Sequence, residues 1–467
     1  MDPTPLRRLR LLALLAAPLA ACGGGAEPDQ AAIPGASAFA AAGAGVPGLS
    51  ARARAAADSL SYQVPHDVTA TSPVTLASLQ RDFDEFSWQS FVALNWPAAG
   101  IGVPDTTVVI GQNGDAPAVW ETYKEPYEVF LPDGSKPPAW GAPRDIPAAC
   151  RTIGAAAGTP VLNMTQKAPP QVLNAMGQPF RTGPLVDQDS TYVRFGIYMN
   201  RDSYDYLVNN TLYNQPGQAA FAGPLAFPSG STQNDTVGGI VIKSAWRVMT
   251  ARDTQGRFHT ARVLVYTPAS TAPRVPESCA LQTVGLVGLH VAHKTQSSPQ
   301  WVWSTFEQVD NVQVPAGSGL RASFNNPACT TCTPNAPPTG PWNPNVKTPP
   351  TQVVREIPID SATQALNAKW QGRLRAVNPA SPWQYYELVS TQWPTNAKGS
   401  PTGNPAPQFL ANVTLETYVQ GKVPNVSSSC IMCHNNATTT ASRPSDFSYM
   451  LELAQAVRST PPTGGQR

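Results

Sequence analysis

Stretches rich in β-branched and aromatic residues set the strongest limit on how this chain of 467 residues can fold. They occupy residues 190–200, 238–250, 259–268, 281–295 and 301–309. Short polar turns separate several of them, and strands joined by short turns pair as antiparallel neighbours. We therefore predict an antiparallel meander of at least four strands between residues 238 and 310, with a further strand at residues 382–394.

Two segments outside the meander have the pattern of helices. Residues 76–97 end at Pro97 and carry an apolar stripe that comprises Leu79, Phe83, Phe86, Phe91 and Leu94. Residues 360–377 start with a capping residue, Asp360 or Ser361, and continue with good helix formers. These elements predict an α+β fold in which a β-rich antiparallel body carries peripheral helices.

Two thiols and an imidazole are crowded near the C-terminus, in Cys430-Ile431-Met432-Cys433-His434. Thiols three positions apart on a turn or helix start can each add to one vinyl group of a haem, and the next residue then carries its imidazole to the iron. With seven cysteines and five histidines, chance produces this pattern in about one such chain in a thousand. The motif predicts one covalent haem c, attached at Cys430 and Cys433, with His434 binding the iron.

The same five residues have two other interpretations. Cys430 and Cys433 form a disulfide beside an incidental histidine in the first, and half of a zinc site in the second. Zinc needs two further ligands nearby, and no second Cys/His pair lies within about thirty residues of the motif.

The N-terminus has the pattern of an export signal. Three arginines precede an apolar run at residues 11–21, which is too short to remain as a membrane span. The run ends in Leu19-Ala20-Ala21 directly before Cys22, which resembles the lipobox of bacterial lipoproteins. That resemblance implies a signal peptide over residues 1–21 and a lipid on Cys22. Gly23, where retained lipoproteins carry aspartate, favours the outer membrane.

Composition divides the remainder of the chain. Residues 22–60 are rich in Gly, Ala and Pro without an apolar period, and we interpret them as a lipidated flexible tether. Residues 61–408 form the predicted β-rich body. A proline-rich stretch at 394–408 separates the body from residues 409–467, a short helical C-terminal segment that carries the haem motif.

Taken together, the C-x-x-C-H motif and the lipobox resemble those of a bacterial c-type cytochrome in lipoprotein form. The resemblance covers only these two short segments. It implies an extracytoplasmic, membrane-anchored protein that transfers electrons to or from a redox partner that the sequence does not identify. The chain departs from small cytochrome c domains because only residues 435–467 follow His434. The body must therefore supply the other wall of a haem site.

Three residues are the main candidates for the haem face opposite His434, and Lys294 is a minor one. Met450 lies in a predicted helix at 442–457 that Ser445 would cap, on an apolar stripe with Phe447, Leu451 and Ala454. His290 and His293 lie three residues apart on one predicted strand, so that they point to opposite faces and at most one faces the haem.

A vacant sixth position is the remaining possibility, and it bears on function. Two strong axial ligands favour electron transfer, whereas an open iron permits oxygen or peroxide chemistry. Electron transfer is our first hypothesis, because no distal acid/base group can be named from the sequence. A haem-dependent oxidoreductase and a structural haem lipoprotein are the alternatives.

Four cysteines lie outside the lipobox and the haem motif: Cys150, Cys279, Cys329 and Cys332. An even number in an exported chain predicts two disulfides, in any of three pairings. The spacing at 329–332 is C-x-x-C without a histidine, so we predict no second haem there.

Charge excludes one class of partner. The leader carries three of the 32 basic and one of the 30 acidic residues, which leaves 29 of each. A mature chain with no excess of positive charge does not favour nucleic-acid binding.

Overall fold

The computed structural model describes residues 60–112, 116–162, 182–254, 256–399, 404–421 and 429–458. The predicted signal peptide, nearly all of the tether and the predicted lipidation site Cys22 lie outside these residues. The described residues cluster into one compact unit that includes both the body and the C-terminal segment.

Seven α-helices lie in the described ranges: α1 (Leu76–Leu94), α2 (Pro126–Val129), α3 (Ala148–Arg151), α4 (Arg201–Asn209), α5 (Gln215–Ala220), α6 (Ser361–Val377) and α7 (Cys430–His434). The two predicted helices, α1 and α6, are confirmed. Thr75 caps α1 by accepting a hydrogen bond from the Ser78 amide, and the Asp360 carboxylate caps α6 by accepting from the Ala362 amide. Within the described part of the chain, no helix has the length and apolar character to cross a membrane.

Twelve strands are described: β1 (Ala98–Gly100), β2 (Val103–Pro104), β3 (Val161–Leu162), β4 (Arg194–Met199), β5 (Ile240–Val248), β6 (Thr260–Thr267), β7 (Ser270–Thr271), β8 (Arg274–Val275), β9 (Ser278–His293), β10 (Val302–Gln308), β11 (Tyr386–Pro394) and β12 (Pro405–Ala406). Eight of them form one sheet, in which only the β3–β6 pair is parallel. The fold is therefore α+β, as predicted.

The strands predicted in the body are present, but they do not form a simple meander. β5 and β6 follow one another in the chain, yet both pair with β9. β9 is 16 residues long, so its first half pairs with β6 while residues 288–293 lie between β5 and β10. A long central strand thus replaces the expected neighbour-to-neighbour order.

The two faces of the sheet are covered by different parts of the chain. α1 and α6 cover one face, where Trp88 of α1 lies 5.2 Å from Phe306 of β10 and 5.9 Å from Trp370 of α6, measured between ring centroids. The other face packs against α4 and the C-terminal residues in a buried cluster that includes Met199, Trp303, Ile431, Phe447, Met450 and Leu451. The C-terminal segment therefore forms a cover over one face of the sheet.

The C-terminal cover, residues 429–458, is less helical than predicted. Asp446 and Phe447 have φ angles of 53° and 66°, which a right-handed helix does not tolerate. A single 3-10 turn at Tyr449–Leu453 replaces the predicted helix, and Ser445 donates to the Ser448 carbonyl instead of capping it. The predicted apolar stripe is nevertheless buried, because Phe447, Met450, Leu451 and Ala454 all pack in one cluster.

Two disulfides are present, Cys150–Cys279 and Cys329–Cys332, which is one of the three predicted pairings. The first joins residues 129 positions apart and links α3 to the start of β9. Cys430 and Cys433 are both unpaired thiols. Their disulfide interpretation is therefore wrong for this structure.

Candidate haem-attachment site

The C-x-x-C-H motif forms the helix α7. The Ser429 hydroxyl accepts a hydrogen bond from the Met432 amide and so fixes where the helix starts. Side chains three positions apart lie on one side of a helix, which places the thiols of Cys430 and Cys433 on a common side. The helix thus presents both thiols and the His434 imidazole from a single turn.

The Cys430 thiol is held in its protonated form. Burial raises its pKa, and the negative charge of Glu416 raises it further. A structural zinc site takes four protein ligands. No group of three or more His, Cys, Asp or Glu side chains suited to a metal ion occurs among the described residues.

A backbone carbonyl fixes the orientation of His434. Its Nδ1 lies 2.8 Å from the Phe447 carbonyl oxygen, which can only accept, so Nδ1 carries the proton and Nε2 the lone pair. The ring packs 4.4 Å from that of Trp303 and 5.2 Å from that of Tyr449, between centroids. Tyr449 also donates to the Cys433 carbonyl oxygen at 2.8 Å, which ties the cover to α7.

A cavity separates the C-terminal cover from the sheet. Side chains of β4, β5, β9 and β10 form one wall, the sheet wall: Ile197, Val241, Lys243, His290, Ala292 and Trp303. His434 and residues 447–450 of the cover form the opposite wall, and Glu416 closes one side. The cavity has a volume of about 90 Å³ and is partly open to solvent.

A charged cluster lies in this cavity. Lys243 of β5 and His290 of β9 are directly paired across the sheet, and His290 Nε2 lies 3.2 Å from Oε2 of Glu416. Burial by itself would raise the pKa of Glu416, but the charges of His290 and Lys243 outweigh burial and lower it to about 2. Glu416 is therefore ionised next to the imidazole.

One polar atom of the cluster is incompletely satisfied. His290 Nε2 is buried and makes no hydrogen bond of good geometry, because the nearby Glu416 oxygen lies off its N–H direction.

The other candidates from the sequence take different places. His293 points to the opposite face of the sheet, as predicted, where its ring lies 5.3 Å from that of Phe86 and its Nε2 lies 2.6 Å from the Val237 carbonyl oxygen. Burial lowers the pKa of His293 to about 4, so it is a neutral core residue. Met450 lines the cavity from the same cover as His434.

The chemistry of these residues fits a c-type haem, while the space between the walls is narrow. Two unpaired thiols and an oriented imidazole are the groups that such a haem requires, and the facing wall adds a second imidazole that could bind the iron. A haem is larger than the 90 Å³ that water can occupy, so binding requires the cover to sit further from the sheet.

Sequence reasoning identified four of these groups and missed two. Cys430, Cys433, His434 and His290 were named from motif and strand pattern. Glu416 stands outside any recognised pattern, and Lys243 lies in a strand whose register the sequence does not reveal. Only the pairing of Lys243 with His290 across β5 and β9 brings these charges together.

No protein-family model matches this chain, and neither a curated protein nor a solved structure is found to be similar to it.

Proposed function

We propose that this protein is an extracytoplasmic, membrane-anchored monohaem c-type cytochrome that transfers electrons. Cys430 and Cys433 would hold the haem and His434 would bind its iron. The observation that carries the proposal is that both motif thiols are unpaired on one helix turn whose His434 lines a cavity, while the other four described cysteines form disulfides. A bound haem supplies a one-electron couple whose potential depends on its ligands and surroundings.

The protein's own residues orient the group and shield it. The Phe447 carbonyl fixes the proton on Nδ1 of His434, and Tyr449 of the same cover restricts the ring. Buried apolar side chains of the C-terminal cover pack beside the site, and the degree of burial influences the potential of a haem.

A row of aromatic rings leads from the site toward the surface, which supports electron transfer. The centroid distances are 6.4 Å from Trp303 of the sheet wall to Trp301 and 5.6 Å from Trp301 to Phe227. Tyr206 follows at 4.9 Å and is partly exposed. The row provides a packed path between the haem-facing wall and solvent.

Export and anchoring belong to the same proposal. Two disulfides are typical of an oxidising compartment, where haem is also attached to C-x-x-C-H motifs. We expect Cys22→Ser to block acylation and to move the protein from the membrane to the soluble fraction, while haem attachment is retained. Fractionation and intact mass check this, and an unchanged mass together with unchanged fractionation would argue against a lipoprotein.

A haem-dependent oxidoreductase is the second candidate, and one observation favours it. Lys243, His290 and Glu416 place acid and base groups in the cavity next to His434, a type of arrangement that proton transfer to a substrate requires. In this alternative His290 stays off the iron, and a small substrate enters the cavity.

Optical spectra with and without reductant, cyanide and peroxide separate the two functions. For electron transfer, we expect the haem to be reduced and reoxidised reversibly, with slow cyanide binding and no peroxide turnover. Rapid cyanide binding together with peroxide turnover would establish the oxidoreductase instead.

A further inference from the structure

We infer that His290 is the second axial ligand of the haem, on the face opposite His434, and that Glu416 is the residue that positions it. This inference rests on the proposed function, since it assumes that a haem occupies the cavity. It names the ligand that the sequence left open among Met450, His290, His293 and none.

His290 and Met450 lie on different walls of the cavity, and this difference favours His290 as the ligand. His434 and Met450 belong to the same C-terminal cover, and Met450 follows closely after Phe447, whose carbonyl holds His434. A haem bound by His434 in this cavity would meet the sheet wall on its other side. His290 is the histidine that this wall presents, since among the described residues lining the cavity the only other histidine is His434.

The surroundings of His290 are those of a metal-ligating histidine. Ligating imidazoles commonly use one ring nitrogen for the metal and donate the other N–H to a carboxylate. Glu416 stands 3.2 Å from Nε2, which leaves Nδ1 for the iron.

Glu416 is itself fixed in place. Its Oε2 accepts a hydrogen bond from the Asn412 amide at 3.1 Å, and the side chain is largely buried beside Lys243. Asn412 is in turn anchored to β10, because its side-chain amide donates to the Phe306 carbonyl at 2.9 Å. A carboxylate held to the sheet in this way can orient the imidazole without touching the haem, which makes Glu416 a positioning residue.

The test compares spin states in the haem-loaded protein. We expect the wild type to be low-spin in its ferric form, without the weak far-red band of methionine-ligated haem. His290→Ala should become high-spin while it keeps covalent haem on denaturing gels, and added imidazole should restore the low-spin spectrum. Imidazole rescue shows that the variant is folded and lacks only a ligand.

Two matched variants act as controls. His293→Gln changes the other histidine of β9, on the opposite face, and Met450→Leu removes the other candidate from the cavity. Both should keep the low-spin spectrum of the wild type. The Glu416→Gln variant should stay low-spin but have a higher reduction potential, because the change removes a negative charge next to the ligand. The Glu416→Asp variant keeps that charge and should have a potential close to that of the wild type.

Several results would overturn the inference. They are a high-spin wild type, a far-red band that Met450→Leu removes, and a His290→Ala variant that remains low-spin. A Lys243→Gln variant that becomes high-spin would also overturn it, because Lys243 would then be the ligand. Each of these leaves the proposed haem attachment intact. Absence of haem from the wild-type protein on a denaturing gel would instead refute the proposed function, and the inference would fall with it.

Discussion

Cys430→Ser combined with Cys433→Ser should remove all covalently bound haem. Serine hydroxyls do not add to haem vinyl groups, and the two thiols stand on one turn of α7 directly before the proposed iron ligand. Haem staining after denaturing electrophoresis measures the effect, because only a covalently attached haem survives denaturation. We expect a complete loss of signal at equal protein load.

The chain contains its own control for this experiment. Cys329 and Cys332 have the same spacing but form a disulfide in an exposed segment. Cys329→Ser combined with Cys332→Ser should therefore stain like the wild type. Persistent staining of the Cys430/Cys433 variant, or loss of staining in the control, would refute the assignment of the motif.

The second large effect concerns stability. Cys150→Ser combined with Cys279→Ser opens a loop between residues 129 positions apart, and chain entropy predicts a loss of about 5 kcal/mol in the free energy of unfolding at 25 °C. Cys150 is fully buried against Val161 and Leu264, so polar serine there adds to the loss. Chemical denaturation followed by tryptophan fluorescence should show a much lower midpoint.

The second disulfide again provides the comparison. Cys329 and Cys332 are three residues apart, so the same entropy argument gives a loss of only about 2 kcal/mol when their bond is removed. Equal losses in the two variants, or a larger loss at Cys329/Cys332, would show that loop length does not govern the stabilisation.

Strand and helix positions were predictable because they depend on local patterns. The apolar stripe of α1, the cap of α6 and the β-branched runs are each readable within a short window of sequence. The pairing of β5 and β6 with β9 was not predictable, since it depends on how far a 16-residue strand extends past its neighbours. The turn at Asp446 and Phe447 was missed for a related reason. Asp446 pairs with Lys294 of the body, and this distant contact favours a backbone that local propensity does not.

The residues of the candidate site were also predictable only in part. Cys430, Cys433 and His434 are adjacent in sequence, so their chemistry was visible in the motif alone. Glu416 and Lys243 meet His290 only through the sheet and the loop before α7. This cluster supplies acid/base groups whose proximity the sequence did not reveal.

Mass spectrometry of the wild-type protein tests the central claim most directly. Trypsin cleaves after Lys422 and Arg458 and does not cut before Pro444, which releases the motif within one peptide, residues 423–458. We predict that this peptide carries the additional mass of one haem, with fragment ions that place it on Cys430 and Cys433. Recovery of the same peptide from exported protein without that mass, with free or mutually disulfide-bonded cysteines, would contradict the account.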